Sequence, residues 1–155
     1  MITPSFKNFL SASLATLRRY GWLPILVLLS HELCAHVIDG YRHWPQIDIP
    51  FHFFGGFAIA YFLNGGLVIL EERMILPPLQ AWVKLGLLLG LVSTTALFWE
   101  FAEYLADTLL GTFCQLSLED TLLDLLLGML GGMLFLLPQF IRACRSLFRA
   151  PEATS

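Results

Sequence analysis

Seven acids and a histidine in this chain fall inside or at the edge of an apolar run, where such groups could do chemistry. Glu100, Glu103 and Asp107 follow i, i+3, i+7 near the end of one run. Three carboxylates on one helical face repel each other unless they are protonated, hydrated or bound to a cation. A second run opens with Asp48-Ile49-Pro50-Phe51-His52-Phe53. Asp48 suits a helix cap and Pro50 a first turn, which leaves His52 one turn down the helix. A third run opens with Ser117-Leu118-Glu119-Asp120. This approximates a capping box, so Glu119 reads as a helix-start charge and Asp120 as either a cap or a ligand. Asp124 lies a full turn deeper, between the leucines at 122–123 and 125–127. An ionised carboxylate at that depth costs roughly 3 kcal/mol unless it is satisfied. The bland alternative is a protonated Asp124 hydrogen-bonded to a neighbouring helix.

Hard cations take carboxylate oxygens, and imidazole suits Zn, Mn or Fe. His52, Glu100, Glu103, Asp120 and Asp124 are therefore a candidate ligand set for a divalent metal ion. Within it His52, Glu103 and Asp124 are the candidate catalytic groups, with His52 as base or ligand and a carboxylate to orient it. A bound ion could activate water or polarise a phosphoryl oxygen. The spacing carries no diagnostic metal signature. His31-Glu32-Leu33-Cys34-Ala35-His36 puts the second histidine one residue too late for a zincin motif, and no Glu-x-x-His pair of the di-iron type occurs. A bundle glued by hydrogen bonds through protonated acids is the reading without metal. A second stripe, Glu32, His36, Asp39 and His43, follows i, i+4, i+7, i+11, although Gly40 argues against a straight helix to His43. Cys34, Cys114 and Cys144 are odd in number, lack CxxC spacing and read as free thiols. With no Ser or Cys nucleophile placed beside the acids, attack by activated water is the expected route.

The elements that must position these groups are membrane spans. The chain is 57% hydrophobic and 14% charged, with a mean hydropathy of +0.71. A soluble domain of this length is about 45–50% apolar and 25% charged. We expect one all-α domain over 1–155: a polytopic membrane protein with a four-transmembrane-helix bundle. A short amphipathic helix at 5–18, with Phe6, Phe9, Leu10, Leu14 and Leu17 at helical spacing, is expected to lie on the interface. Spans are expected at 22–38, 51–70, 79–99 and 121–141, followed by a basic tail at 142–155. Arg18, Arg19 and the apolar run that follows resemble a signal peptide, but His31 and Glu32 end the run and no small-x-small site follows, so it reads as an uncleaved span. Gly56-x-x-x-Ala60, Gly86-x-x-x-Gly90 and Gly128-x-x-x-Gly132 favour close helix contacts.

Charge orients the spans. Lys7, Arg18 and Arg19 precede the first, Arg73 and Lys84 flank the link between the second and third, and Arg142, Arg145 and Arg149 follow the fourth. Of the basic residues only Arg42 falls on the other side. The positive-inside rule then places both termini in the cytoplasm. The loops at 39–50 and 107–118, and with them the His/Asp/Glu cluster, face outward. No basic stripe suggests nucleic acid; the expected partner is membrane lipid, and no residue pattern specifies an oligomeric state.

The chain resembles the VanZ-like group of small bacterial membrane proteins over 52–132, with Asp48 just before. The shared features are Asp48-x-x-x-His52-Phe53 opening a span, the small pair Gly55-Gly56, the acids Glu100 and Glu103, and Asp120-x-x-x-Asp124-x-x-x-Gly128 in the last span. That group often has Lys after the first Asp, where this chain has Ile49. The resemblance implies a bacterial cytoplasmic membrane and an envelope context, since some members are linked to glycopeptide-antibiotic resistance. It implies no particular reaction. Two functions remain open: a metal-dependent enzyme acting on a lipid or lipid-linked headgroup, and a non-catalytic protein binding a cation, lipid or amphiphile. Ion movement ranks below both, because Ser93, Thr94 and Thr95 reach mid-span but no ionisable residue continues the path.

Overall fold

Residues 6–34, 43–112 and 114–148 are described by the structure, a computed structural model. His36, Asp39, Arg42 and Arg149 lie outside them. The described residues form five α-helices and no strand: α1 (Phe6–Tyr20), α2 (Trp22–Glu32), α3 (Asp48–Glu72), α4 (Ala81–Leu110) and α5 (Leu118–Phe148). A single 3₁₀ turn, Pro45–Ile47, leads into α3. The last three helices are long and apolar enough to cross a membrane, and α2 is a shorter apolar helix. The chain is thus an all-helical membrane protein.

Each long helix extends beyond the apolar stretch that marks it in the sequence. Hydropathy falls at the polar ends, but the backbone ladder continues through Asp48, Glu103 and Asp107 into the headgroup layer. At 1.5 Å per residue the 30 residues of α4 reach about 45 Å, against roughly 30 Å of hydrocarbon. Its ends therefore stand clear of the apolar core.

α3 is central and packs against each of the other helices, most extensively against α5. Glycine makes that contact possible. A methyl group on Gly56 would strike the Gly128 carbonyl, and one on Gly131 would strike the Phe53 carbonyl. The two helices run parallel and in register, as Phe57 edge-on to Phe135 at 5.3 Å and Gln139 Nε2 donating to Asn64 Oδ1 at 3.4 Å show. α4 lies antiparallel to both and ties to the C-terminal end of α3. There Glu71 accepts hydrogen bonds from Lys84 Nζ at 2.9 Å and from the Leu79 amide at 3.2 Å. Gly86 and Gly90 make no close contact, since a methyl on either would meet nothing within 4 Å.

α1 and α2 run antiparallel along α3. Arg73 donates to Ser11 Oγ at 2.9 Å, Trp22 Nε1 to Tyr61 Oη at 3.2 Å, and the His31 ring meets Phe51 edge-on at 5.4 Å. The helical ladder passes through Gly21, whose amide bonds the Leu17 carbonyl at 2.9 Å. The boundary read from Arg18 and Arg19 is therefore a local break between two helices that share one course. Ala12 and Thr16 are buried on the α3 side of α1, and Phe6, Phe9 and Leu10 face outward. At 11 residues α2 measures about 16 Å, roughly half of a crossing.

Candidate functional site

His52 stands at the end of the bundle where α3 begins, because α3 starts at Asp48 and carries it one turn into the bundle. Asp48 is its i−4 neighbour on the same face. His52 Nε2 lies 3.3 Å from Asp48 Oδ1 and 3.8 Å from Asp124 Oδ1 on α5. Its Nδ1 lies 3.7 Å from Glu100 Oε1 on α4. Glu103, one turn further along α4, completes the group. Two sets of three ligand atoms fall within 4.8 Å of one another: Asp48, His52 and Asp124 on one side, and His52, Glu100 and Glu103 on the other. Glu100 and Asp124 are each only 4% exposed.

Three helices converge here through the same packing that holds the fold. The close α3–α5 contact at Gly56 and Gly128 lies one turn below His52 and Asp124, and it fixes their separation. On α4, Ala96 meets Gly128, which brings Glu100 to the same level. Two further donors hold the acids in place. Trp99 Nε1 bonds Glu103 Oε1 at 2.8 Å, and Gln115 Nε2 bonds both the Glu100 carbonyl at 2.9 Å and Glu100 Oε2 at 3.2 Å. The Gln115 loop is in turn tied down by Asp107. Its carboxylate accepts from Thr112 Oγ1 at 2.6 Å, from the Cys114 amide at 2.8 Å and from the Gln115 amide at 2.9 Å. Gly111, at φ 70°, ends α4 in the left-handed conformation that starts this loop.

Of the residues singled out in the sequence, His52, Glu100, Glu103 and Asp124 come together. Asp120 does not join either ligand set. It accepts from the Leu116 amide at 3.3 Å, while its own amide donates to Ser117 Oγ at 3.2 Å, so it closes a helix cap. Asp107 leaves the stripe it shares with Glu100 and Glu103 to organise the loop. Asp48, read as a cap, faces His52 instead; the signal was its i, i+4 spacing from an imidazole. Gln115 went unnoticed, and a neutral amide in a loop offers no charge or periodicity to find it by. Glu32 is half-exposed, with Oε1 3.5 Å from His31 Nδ1, and His43 rests on Trp44 at 5.9 Å between ring centres. Since His36 and Asp39 are outside the described residues, the second stripe is not assembled here. The cysteines are free. Burial, helped by the charges of Asp107 and Glu103, pushes the Cys114 thiol up.

The arrangement sets four carboxyl groups around one imidazole at the edge of the hydrocarbon. One imidazolium offsets at most one of four negative charges. The group can hold a multivalent cation, hold protons, or pass a proton between a bound water and a carboxylate.

Comparison with known proteins is consistent with a membrane protein and names no activity. A Thermotoga maritima protein described as "Uncharacterized protein" is 33% identical over 102 residues, which is 65% of this chain and 51% of that protein. The chain thus spans about half the length of that relative. No solved structure matches it. Residues 13–144 match the family described as "Predicted membrane protein (DUF2238)", and the chain belongs to that family.

Proposed function

We propose that the His/Asp/Glu group binds a divalent cation at the outer face of the membrane and hydrolyses a lipid or lipid-linked headgroup there. The observation that carries this reading is the convergence of Asp48, His52, Glu100, Glu103 and Asp124 from three helices, at a depth where unneutralised carboxylates are costly. Asp48, Asp124 and His52 Nε2 are the ligand set. A divalent ion bound there supplies Lewis acidity toward a phosphoryl or carbonyl oxygen. His52 Nδ1 then faces Glu100, whose carboxylate fixes the ring orientation and tautomer, and Gln115 holds Glu100 in turn. Glu103, with Oε1 engaged by Trp99, is placed to take the proton of an attacking water.

One observation favours a second reading, in which the group holds a cation or a lipid amine without chemistry. His52 has carboxylates at both ring nitrogens, an arrangement that suits an imidazolium as well as a metal-bound imidazole. The setting for either reading is a bacterial cytoplasmic membrane with both termini inside. The Lys and Arg distribution supports it, as does a relative from a bacterium. The VanZ-like motifs around Asp48-x-x-x-His52 and Asp120-x-x-x-Asp124 support a role in the envelope or in antibiotic resistance.

Metal analysis of gently purified protein is the first test. We expect a stoichiometric divalent ion that is lost in His52→Ala and in Asp124→Ala. No stoichiometric metal in the wild type would remove the cation from the reading. Lipid mass spectrometry then separates chemistry from binding. Cells lacking the protein and cells carrying Glu103→Gln share an accumulated lipid if the protein is an enzyme. If Glu103→Gln restores the normal lipid profile, the protein acts without turnover.

A further inference from the structure

Below the His/Asp/Glu group lies a cavity of about 270 Å³. Its floor is the glycine face of α3, at Gly55, Gly56 and Ile59, and its walls are Ile25 and Leu28 of α2 and Val92 of α4. Its lining is otherwise apolar except for Thr95 and for the end toward the His/Asp/Glu group, where His52 and His31 close it. Thr95 contributes no free hydroxyl, because Oγ1 donates to the Leu91 carbonyl at 2.8 Å. An apolar cavity of about 150 Å³ already stays dry and binds benzene. This one is larger, and it runs from Phe51 to Ile59, about 12 Å along α3.

The cavity exists because α2 and α4 both pack on α3 and scarcely touch each other. They meet at the outer end, where the His31 ring is edge-on to Trp99 at 5.7 Å and to Phe51 at 5.4 Å. Beneath this bridge the space lies between two apolar helices, and Ile25 and Leu28 beside it are exposed. Gly55 keeps it open, and a methyl on Gly55 would meet nothing within 4 Å.

We propose that this cavity takes one hydrocarbon chain of a membrane lipid, which enters sideways between α2 and α4 and presents its polar end to His52. Three observations select that occupant: an apolar lining, a position between apolar helices long enough or apolar enough to sit in a membrane, and continuity with the polar group at one end only. The proposal rests on the reading of that group as the place where a lipid headgroup is handled, and it narrows the substrate to a lipid with at least one free-standing chain. Water fails on the lining, and a soluble headgroup alone would leave the cavity unfilled.

The test uses the full chain in vesicles of phosphatidylethanolamine and phosphatidylglycerol. The vesicles carry a phospholipid with a photoreactive diazirine in the distal half of one acyl chain. After illumination, label should concentrate on Leu28, Ile59 and Val92. In Gly55→Phe, whose ring fills the open space, labelling of those residues should fall at least tenfold while the metal content stays at the wild-type level. Gly55→Leu should give an intermediate loss. Glu103→Gln should keep the labelling, because it alters the headgroup group and leaves the cavity intact. Equal label on outward leucines such as Leu26 and Leu126, unchanged in Gly55→Phe, would overturn the proposal. So would crosslinks from the cavity to a second copy of the chain or to its own segment 35–42. Wild-type protein that labels in the cavity but holds no metal removes the metal reading and leaves the chain site standing. Protein that holds metal but shows no cavity label does the reverse.

Discussion

Asp120 and Asp124 lie four residues apart on one helix and do different things, and the difference is a matter of depth. Asp120 sits in the first turn of α5, where free amides can satisfy it, and it closes a cap with Leu116 and Ser117. Asp124 is a turn further in, beyond the reach of those amides, and turns to His52. We therefore expect Asp120→Ala to cost about 0.5–2 kcal/mol of stability, the usual price of a lost cap, and to leave metal content unchanged. Asp124→Ala should abolish metal binding. Thermal unfolding and metal analysis on the two variants check this, and loss of metal in Asp120→Ala would return Asp120 to the ligand set. Much of the group was legible residue by residue, because a histidine or aspartate inside an apolar run has few other uses. Asp48 was misread because an acid at a helix start is usually a cap. Asp107 was grouped with Glu100 and Glu103 because a helical stripe does not reveal that its last member meets the amides of a returning loop.

At the scale of helices, hydropathy marked α3, α4 and α5 but underestimated their lengths, since polar ends stay helical after apolarity stops, while the apolar run expected to span at 22–38 gives the 11-residue α2, with 35–38 outside the described residues. It also could not say which small-residue faces would meet. Gly56 and Gly128 pack backbone to backbone, whereas a methyl on Gly86 or Gly90, with the same spacing, would meet nothing within 4 Å among the described residues. The motif marks a face that can be approached closely, and only the arrangement of neighbours decides whether it is. Substitutions should separate the two cases. Gly56→Val forces α3 and α5 apart and should cost roughly 1–3 kcal/mol or prevent folding. Gly86→Ala and Gly90→Ala should stay within about 0.5 kcal/mol of the wild type. Temperature-dependent loss of the monodisperse species in mild detergent reads these effects. Equal damage from Gly86→Ala would show that this face is covered in the membrane by a second protein surface.

For the whole molecule, the segregation of charge and the position of the site are one fact seen twice. Three helices bring their ends together at His52, and the acids gathered there lie at the opposite end of the bundle from Lys84, Arg73 and the arginines of α1 and α5. The parallel course of α3 and α5 follows from counting consecutive spans, but their packing against each other was not legible from hydropathy, which does not name neighbours. Orientation is the remaining consequence, and two cysteines report it. Cys114 is in the loop between α4 and α5, and Cys144 is half-buried near the other end of α5. In a chain retaining only Cys114, a membrane-impermeant maleimide should label intact cells. In a chain retaining only Cys144, label should appear only after the membrane is opened. Because burial raises the Cys114 thiol, its labelling rate should keep climbing to higher pH than that of an ordinary thiol. The reverse pattern, with Cys144 labelled in intact cells and Cys114 protected, would place the His52 group on the cytoplasmic side and require an inner-leaflet substrate.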